Sequence, residues 1–261
     1  MVKKSQVQLS LWYLQRPSTW GHFAALLRSK VQQMLYSGRY AYKSESSRAW
    51  CAEQARPKVD VYAALRVQPV DFDMQFADEL RAAHKRVENV PVKMGGAGDM
   101  QLLYALAKHL QATRIIETGV AYGWSSFTLL LALQHNAEAQ LISTDMPYFD
   151  RNNAAYVGVA VPEALRGQWT LLRNPDRVAL RQALRQLPEV DLCHYDSDKS
   201  YDGRMWAYDL LWQALRPAGI LISDDINDNF AFRDFSLKCG STPFVIAEGN
   251  KYIGILVKSY A

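Results

Sequence analysis

From about residue 95 onward, short runs rich in Ile, Leu and Val alternate with helical stretches, and this alternation constrains the fold more than any other feature. Arg114–Gly119, Gln140–Met146, Trp169–Asn174, Val190–Asp196 and Gly219–Ile226 read as strands. Between them lie helical stretches at Ser125–His135, Asn153–Leu165, Arg177–Gln186 and Tyr201–Leu215. Strands spaced by helices pair in parallel through right-handed crossovers. Their apolar middles imply that helices cover both faces of the sheet. Two further runs, Phe244–Glu248 and Tyr252–Lys258, flank Gly249-Asn250, which signals a hairpin. The expected architecture is α/β: a doubly wound, mostly parallel, seven-stranded sheet closed by an antiparallel C-terminal hairpin.

The first 93 residues follow a different pattern. Trp20–Tyr36 carries Phe23, Leu26, Leu27, Val31 and Leu35 at helical spacing, with Arg28 and Lys30 on the other face. Such a helix either packs on the domain or docks on a membrane surface or partner. Phe76–Val87 is a second amphipathic helix, and the polar Ser37–Ser47 reads as a loop. Residues 1–93 are therefore expected to form a helical extension, a lid or a dimer arm, and 94–261 the sheet domain. With 49% hydrophobic and 21% charged residues, the composition is that of a globular chain and excludes collagen and disorder. A net charge of +4 without a basic cluster gives no footprint for nucleic acid. No apolar run approaches the roughly 20 residues of a membrane span, and polar residues interrupt any signal-peptide core in the first 20 positions. Three widely spaced cysteines, Cys51, Cys193 and Cys239, suit a reducing, cytoplasmic setting.

The segment RIIETGVAYGWSS is the most informative. Glu117 ends a strand, Gly119 and Gly123 bracket a tight turn, and Ser125 and Ser126 open a helix whose free N–H groups suit an anion. In a doubly wound sheet such a loop lies beyond the carboxyl ends of the strands, where ligands bind. The pattern is E-x-G-x-x-x-G rather than G-x-G-x-x-G, which disfavours a nicotinamide dinucleotide. Asp145, at the end of the second strand, is placed to accept bonds from two ribose hydroxyls, or else solubilises a loop.

The fourth and fifth strands run into clusters of acids: Asp196 and Asp198, then Asp224, Asp225 and Asp228. If these strands are neighbours, Asp196, Asp224 and Asp225 converge. Carboxylates that close repel one another unless a hard divalent cation such as Mg²⁺ joins them. The alternative is that one acid serves a cofactor while the others face solvent. Lys199 follows in the same loop; beside a cation its pKa would fall and it would act as a general base, and otherwise it is a surface lysine. His194 and Cys193, inside a strand, read as packed residues.

Together these residues resemble the class I S-adenosylmethionine-dependent methyltransferases, and among them the metal-dependent O-methyltransferases similar to catechol O-methyltransferase and to sugar- and macrolide-tailoring enzymes. The resemblance covers residues 94–261 and rests on MGGAGDMQLLYALAKHLQATRIIETGVAYGWSS, HYDSDK and LISDDI. It implies a Rossmann-like fold in which Gly95 and Gly96 approach the methionine part of the cofactor. Glu117, Gly119, Gly123 and Ser125 belong to the cradle for its amino and carboxylate groups. Asp145 binds its ribose and Met146 lies against its adenine. It further implies Mg²⁺ on Asp196, Asp224 and Asp225, with Lys199 taking the acceptor's hydroxyl proton. Asp225 stands where that family typically has Asn, and Tyr122 is shifted from the family's aromatic position. The implied reaction is methyl transfer to a hydroxyl of a small molecule or a glycan. An NAD(P)-dependent oxidoreductase and a non-catalytic cofactor-binding partner subunit are the alternatives.

Overall fold

The computed structural model describes residues 10–260 apart from 22, 25, 26, 29, 30, 32–36 and 147–152. Its centre is a seven-stranded sheet: β1 (Arg114–Thr118), β2 (Gln140–Thr144), β3 (Trp169–Leu172), β4 (Val190–Tyr195), β5 (Leu215–Ser223), β6 (Phe244–Glu248) and β7 (Lys251–Val257). The strand order is β3-β2-β1-β4-β5-β7-β6. β1 to β5 pair in parallel, and β7 runs antiparallel to both β5 and β6. β4 and β5 are neighbours, as the reading of the acids requires, with Tyr195 opposite Ser223.

Alternation along the strands builds two cores. Ile115, Leu141, Leu192 and Ile220 face one side, and Ile116, Ile142, Cys193 and Leu221 the other. Successive strand side chains point to opposite faces, so covering both faces with helices buries the whole run. The helices are α1 (Ser37–Gln54), α2 (Lys58–Leu65), α3 (Phe72–Gln75), α4 (Ala77–Glu88), α5 (Met100–His109), α6 (Trp124–Leu133), α7 (Asp176–Gln186), α8 (Tyr201–Ala214) and α9 (Ala231–Cys239). In α4, Asp78 and Glu79 occupy the first turn and Lys85 and Arg86 the last, charges that complement the helix dipole.

Two sequence expectations change. The polar stretch 37–47 is helix, the first half of α1, because the second half is anchored in tertiary structure. Cys51 is buried in one core, and the Ser47 hydroxyl donates to the Asn229 carbonyl at 2.8 Å. The stretch 153–165 is two 3₁₀ turns, Ala154–Tyr156 and Glu163–Gln168, in place of an α-helix. Gly158, at φ +75°, turns the chain between them. Of the expected helix 20–36, the described residues, among them Trp20, Phe23, Leu27 and Val31, are helical, and the rest lie outside the described residues. Among the described residues before 94, Val61, Tyr62, Phe72, Phe76, Leu80 and Ala83 are buried in the same core as Ile115 and Phe127.

Candidate active site

Strand order reverses between β1 and β4, whose outward crossovers separate at their carboxyl ends. In a sheet of this order, ligands bind at such a divergence, and the loops after β1, β2, β4 and β5 that carry the side chains singled out in the sequence lie at this edge. Gly119 leaves β1 at φ +80°. Its N–H bonds the Thr144 carbonyl at 2.8 Å, while the Asp196 N–H bonds the Thr118 carbonyl at 2.9 Å. The two loops are so close that a Cβ on Gly119 would lie 2.8 Å from the Asp196 carbonyl carbon. Gly123, at φ +86°, caps α6 and packs against Gly158. Ala121, at φ +48°, shares this left-handed turn.

Glu117 is fully buried. Its Oε2 accepts from the hydroxyls of Ser126 at 2.5 Å and Ser143 at 2.6 Å. Oε1 has no hydrogen-bond partner and lies 3.6 Å from His194 Nδ1. Asp145 is buried as well: Oδ1 accepts from the Val120 N–H at 3.0 Å, and Oδ2 is unpartnered, with Arg173 Nε at 3.6 Å. Burial raises the Asp145 carboxyl above the usual range, against the pull of the Val120 N–H and Arg173. Each acid therefore has one oxygen hydrogen-bonded by the protein and one buried oxygen that makes no hydrogen bond and faces a basic side chain at 3.6 Å, His194 for Glu117 and Arg173 for Asp145, so a ligand's donors could still reach it. Gly95 faces the glycine loop, a Cβ there lying 3.5 Å from that of Ala121, and Gly96 borders open space. Ser125, in the first turn of α6, is partly exposed beside this loop.

Sequence reasoning did not foresee the contacts of four residues. Ser126 and Ser143 orient Glu117. Tyr122, whose shifted position was noted, accepts from the Met94 N–H at 3.1 Å and donates to the Val92 carbonyl at 2.7 Å, which ties the segment before Gly95 to the glycine loop. Asp176 is buried, accepts from the Ser197 hydroxyl at 2.5 Å, and is pushed up to about 6 by burial. The β1–β2 pairing and the packing of α6 bring the two serines to Glu117. From the N-terminal region, Tyr13 is buried and its hydroxyl reaches Met146 Sδ at 3.6 Å.

The acids at β4 and β5 behave differently from the sequence expectation. Asp196 is paired with Lys199, and Lys199 Nζ also lies 3.0 Å from Asp225 Oδ2. The other oxygen of Asp225 is 2.9 Å from Lys251 Nζ. Asp224 Oδ1 lies 3.7 Å from His194 Nε2. Among the described residues, no group of three or more His, Cys, Asp or Glu side chains has the geometry of a metal site. Asp196, Asp224 and Asp225 therefore do not fit a shared Mg²⁺ in this arrangement: ammonium groups already hold two of them.

The environment of Lys199 is also reversed. Burial alone would lower its pKa, but Asp196 and Asp225 outweigh it and raise the ammonium above its ordinary value. A neighbouring cation was the premise for a basic lysine; with neighbouring anions Lys199 is a proton donor at neutral pH. Burial raises Asp196, opposed by Lys199 and reinforced by Asp224. His194 is packed, as expected, yet it is more than filler. It stands between Glu117 and Asp224, and these acids overcome its burial to lift it to about 10.

A parallel sheet with one reversed strand inserted beside the last, and a ligand crevice built from a glycine turn and two half-satisfied acids, defines the class I methyltransferase fold. Residues 116–226 match the family model described as "Methyltransferase domain". In structure the chain is similar to an O-methyltransferase from Bacillus cereus solved with SAH. The TM-score is 0.51 at 16% identity, covering 80% of this chain and 100% of that one. It is similar to the O-methyltransferase TomG from Streptomyces achromogenes, involved in tomaymycin synthesis and solved with SAM, at TM-score 0.50 and 19% identity over 80% and 98% of the two chains. A methyltransferase from Geobacter sulfurreducens gives 0.51 at 18% identity over 78% and 98%. No curated protein matches the chain in sequence. The chain thus has the fold of these O-methyltransferases, and its residues 116–226 match the methyltransferase-domain model.

Proposed function

We propose that this protein transfers a methyl group from S-adenosylmethionine to a hydroxyl oxygen of a small molecule or glycan. The observation that carries the cofactor assignment is the pair of buried acids, Glu117 and Asp145, each with one carboxylate oxygen that makes no hydrogen bond beside the glycine turn. Glu117, Gly119, Gly123 and Ser125 would hold the amino and carboxylate end, with Gly95 and Gly96 against the methionine chain. Asp145 would hold the ribose hydroxyls and Met146 would border the adenine. When bound, the cofactor supplies an electrophilic methyl group. Asp196 stands at the mouth of the crevice with a raised pKa and takes the acceptor's hydroxyl proton. The Lys199 ammonium, fixed by Asp196 and Asp225, donates to the oxygen as its charge grows. Positioning these groups in a fixed crevice contributes the remainder of the catalysis.

The N-terminal region has two parts in this reading. α2 to α4 complete the core, while the stretch around Tyr13 closes over Met146 as a strap on the adenine side, supported by the Tyr13–Met146 contact. Cys51, Cys193 and Cys239 are all free thiols, which suits a cytoplasmic setting, and none of the described helices is long and apolar enough to cross a membrane. Isothermal calorimetry with S-adenosylhomocysteine tests the cofactor assignment, with micromolar or tighter binding expected. Binding of NADH in place of S-adenosylhomocysteine would refute it. A radiolabelled methyl-transfer assay over phenols, catechols and glycosides tests the acceptor.

A further inference from the structure

Asp225 collects more cationic groups than any other acid at the crevice. Its two carboxylate oxygens face Lys199 and Lys251, and its backbone carbonyl accepts from Arg204 Nη2 at 2.8 Å. Arg204 is fully buried, so this third contact is fixed. Asp225 itself sits at φ +53°, a left-handed conformation uncommon for a residue with a Cβ, so the surrounding contacts over-determine it. The three basic residues come from separate places: Lys199 from the loop after β4, Arg204 from α8, and Lys251 from β7 beside the hairpin turn. Lys199 is in turn held through its own carbonyl, which accepts from Asn229 Nδ2 at 2.8 Å. The ammonium between Asp196 and Asp225 is therefore built in from several elements.

Two carboxylates at adjacent strand ends need a positive charge between them. A divalent ion meets that need with oxygen ligands that must be free; here the oxygens of Asp225 are engaged and the space between Asp196 and Asp225 is spanned by a side-chain nitrogen. We propose that Lys199 and Lys251, anchored on Asp225, take the electrostatic place of a divalent cation, so that this enzyme methylates its acceptor without a metal. Lys199 acts at the reacting oxygen. Lys251 is a positioning residue: it holds Asp225 and, through it, the Lys199 ammonium. In the step, the acceptor's O–H proton passes to Asp196, the new C–O bond forms as the S–CH₃ bond breaks, and the sulfonium becomes a neutral thioether. No other reactant is required.

The inference rests on the methyl-transfer reading, and its test separates the two. Mn²⁺ is titrated into the full-length protein saturated with S-adenosylhomocysteine, and free Mn²⁺ is followed by electron paramagnetic resonance. The wild type is expected to show no saturable site below millimolar Mn²⁺, and methyl transfer is expected to survive excess EDTA. The Lys199→Met/Lys251→Met double variant frees the carboxylates and is expected to bind Mn²⁺ at least about 10-fold more tightly than the wild type. Lys251→Gln alone is expected to move in the same direction by a smaller factor. Its acceptor KM should change little while its kcat falls, since it touches no substrate. Stoichiometric micromolar Mn²⁺ binding by the wild type, or no gain in variants that still bind S-adenosylhomocysteine, overturns the inference. Failure of the wild type to bind S-adenosylhomocysteine overturns the methyl-transfer reading instead.

Discussion

Replacing Gly119 by alanine tests the geometry of the crevice at its tightest point. At φ +80°, an L side chain costs about 1–2 kcal/mol in backbone strain alone. The new Cβ would stand 2.8 Å from the Asp196 carbonyl carbon and overlap its oxygen. The obstacle is backbone, so it yields only if the β1 and β4 loops separate. That movement loosens the Asp196 N–H bond to Thr118 and the Gly119 N–H bond to Thr144, 2.9 and 2.8 Å long. A fully lost hydrogen bond of this kind costs about 1 kcal/mol, and loosening the two costs about that much together. The expected total is about 2–3 kcal/mol, which for a chain of this size is a melting-temperature drop of about 5–10 °C. S-adenosylhomocysteine affinity should fall as well, since both loops line its site. Gly96→Ala is the control: a Cβ there meets nothing within 4 Å, so its melting temperature should stay within about 1 °C of wild type. Differential scanning calorimetry and isothermal titration measure both. A Gly119→Ala protein that melts and binds like wild type would refute the reasoning that this glycine sets the crevice.

Asp145→Ala should weaken S-adenosylhomocysteine binding by about 1–3 kcal/mol, the range for leaving hydrogen-bonding groups unpaired, and unchanged calorimetric affinity would remove Asp145 from the site. Lys199→Met should lower kcat by about 10²-fold or more, the typical loss for one charge-stabilising donor, and leave S-adenosylhomocysteine affinity within about twofold; full turnover would sink the role given to its ammonium. Asp191 joins β1 to β5. Burial alone would raise its pKa, but the Thr113 N–H, Arg216 and the Arg114 N–H outweigh it and hold the carboxyl below the usual range. Its stabilisation is therefore present above about pH 4, the unfolded carboxyl's value, and lost as pH falls through the lower folded value. Asp191→Asn should flatten the acid limb of a urea-stability profile, and an unchanged limb would contradict this. His194, lifted to about 10 despite its burial, gives the opposite sign. Its contribution is complete below about pH 6.5 and is lost as pH rises toward 10, so His194→Gln should remove a decline in stability between those values.

The loops of the site were more legible than its charges. Glu117, Gly119 and Asp145 could be proposed from the sequence because a strand end, a turn glycine and a strand-end acid each carry a local signal. Ser143 carried none, and Ser126 only that of a helix start: a serine in a helix and a serine in a strand become partners of Glu117 only through the β1–β2 pairing and the packing of α6. Lys251 lay in a hairpin with no catalytic signature, and its approach to Asp225 depends on β7 inserting between β5 and β6. The reading of Lys199 reversed for the same reason, since the sign of a pKa shift depends on neighbours that sequence distance does not reveal.

What the sequence by itself determined was the alternation of strands and helices, the C-terminal hairpin, and the glycine turn with its flanking acids. These follow from the period of the apolar residues and from backbone conformations that local residue types dictate. The tertiary structure alone decided that 37–47 is helical, that residues 61–83 complete the core, and that the acids of β4 and β5 meet lysines. Each of these outcomes depends on groups far apart in the chain. Burial and Coulomb interactions act through distance in space, and only the strand order fixes that distance.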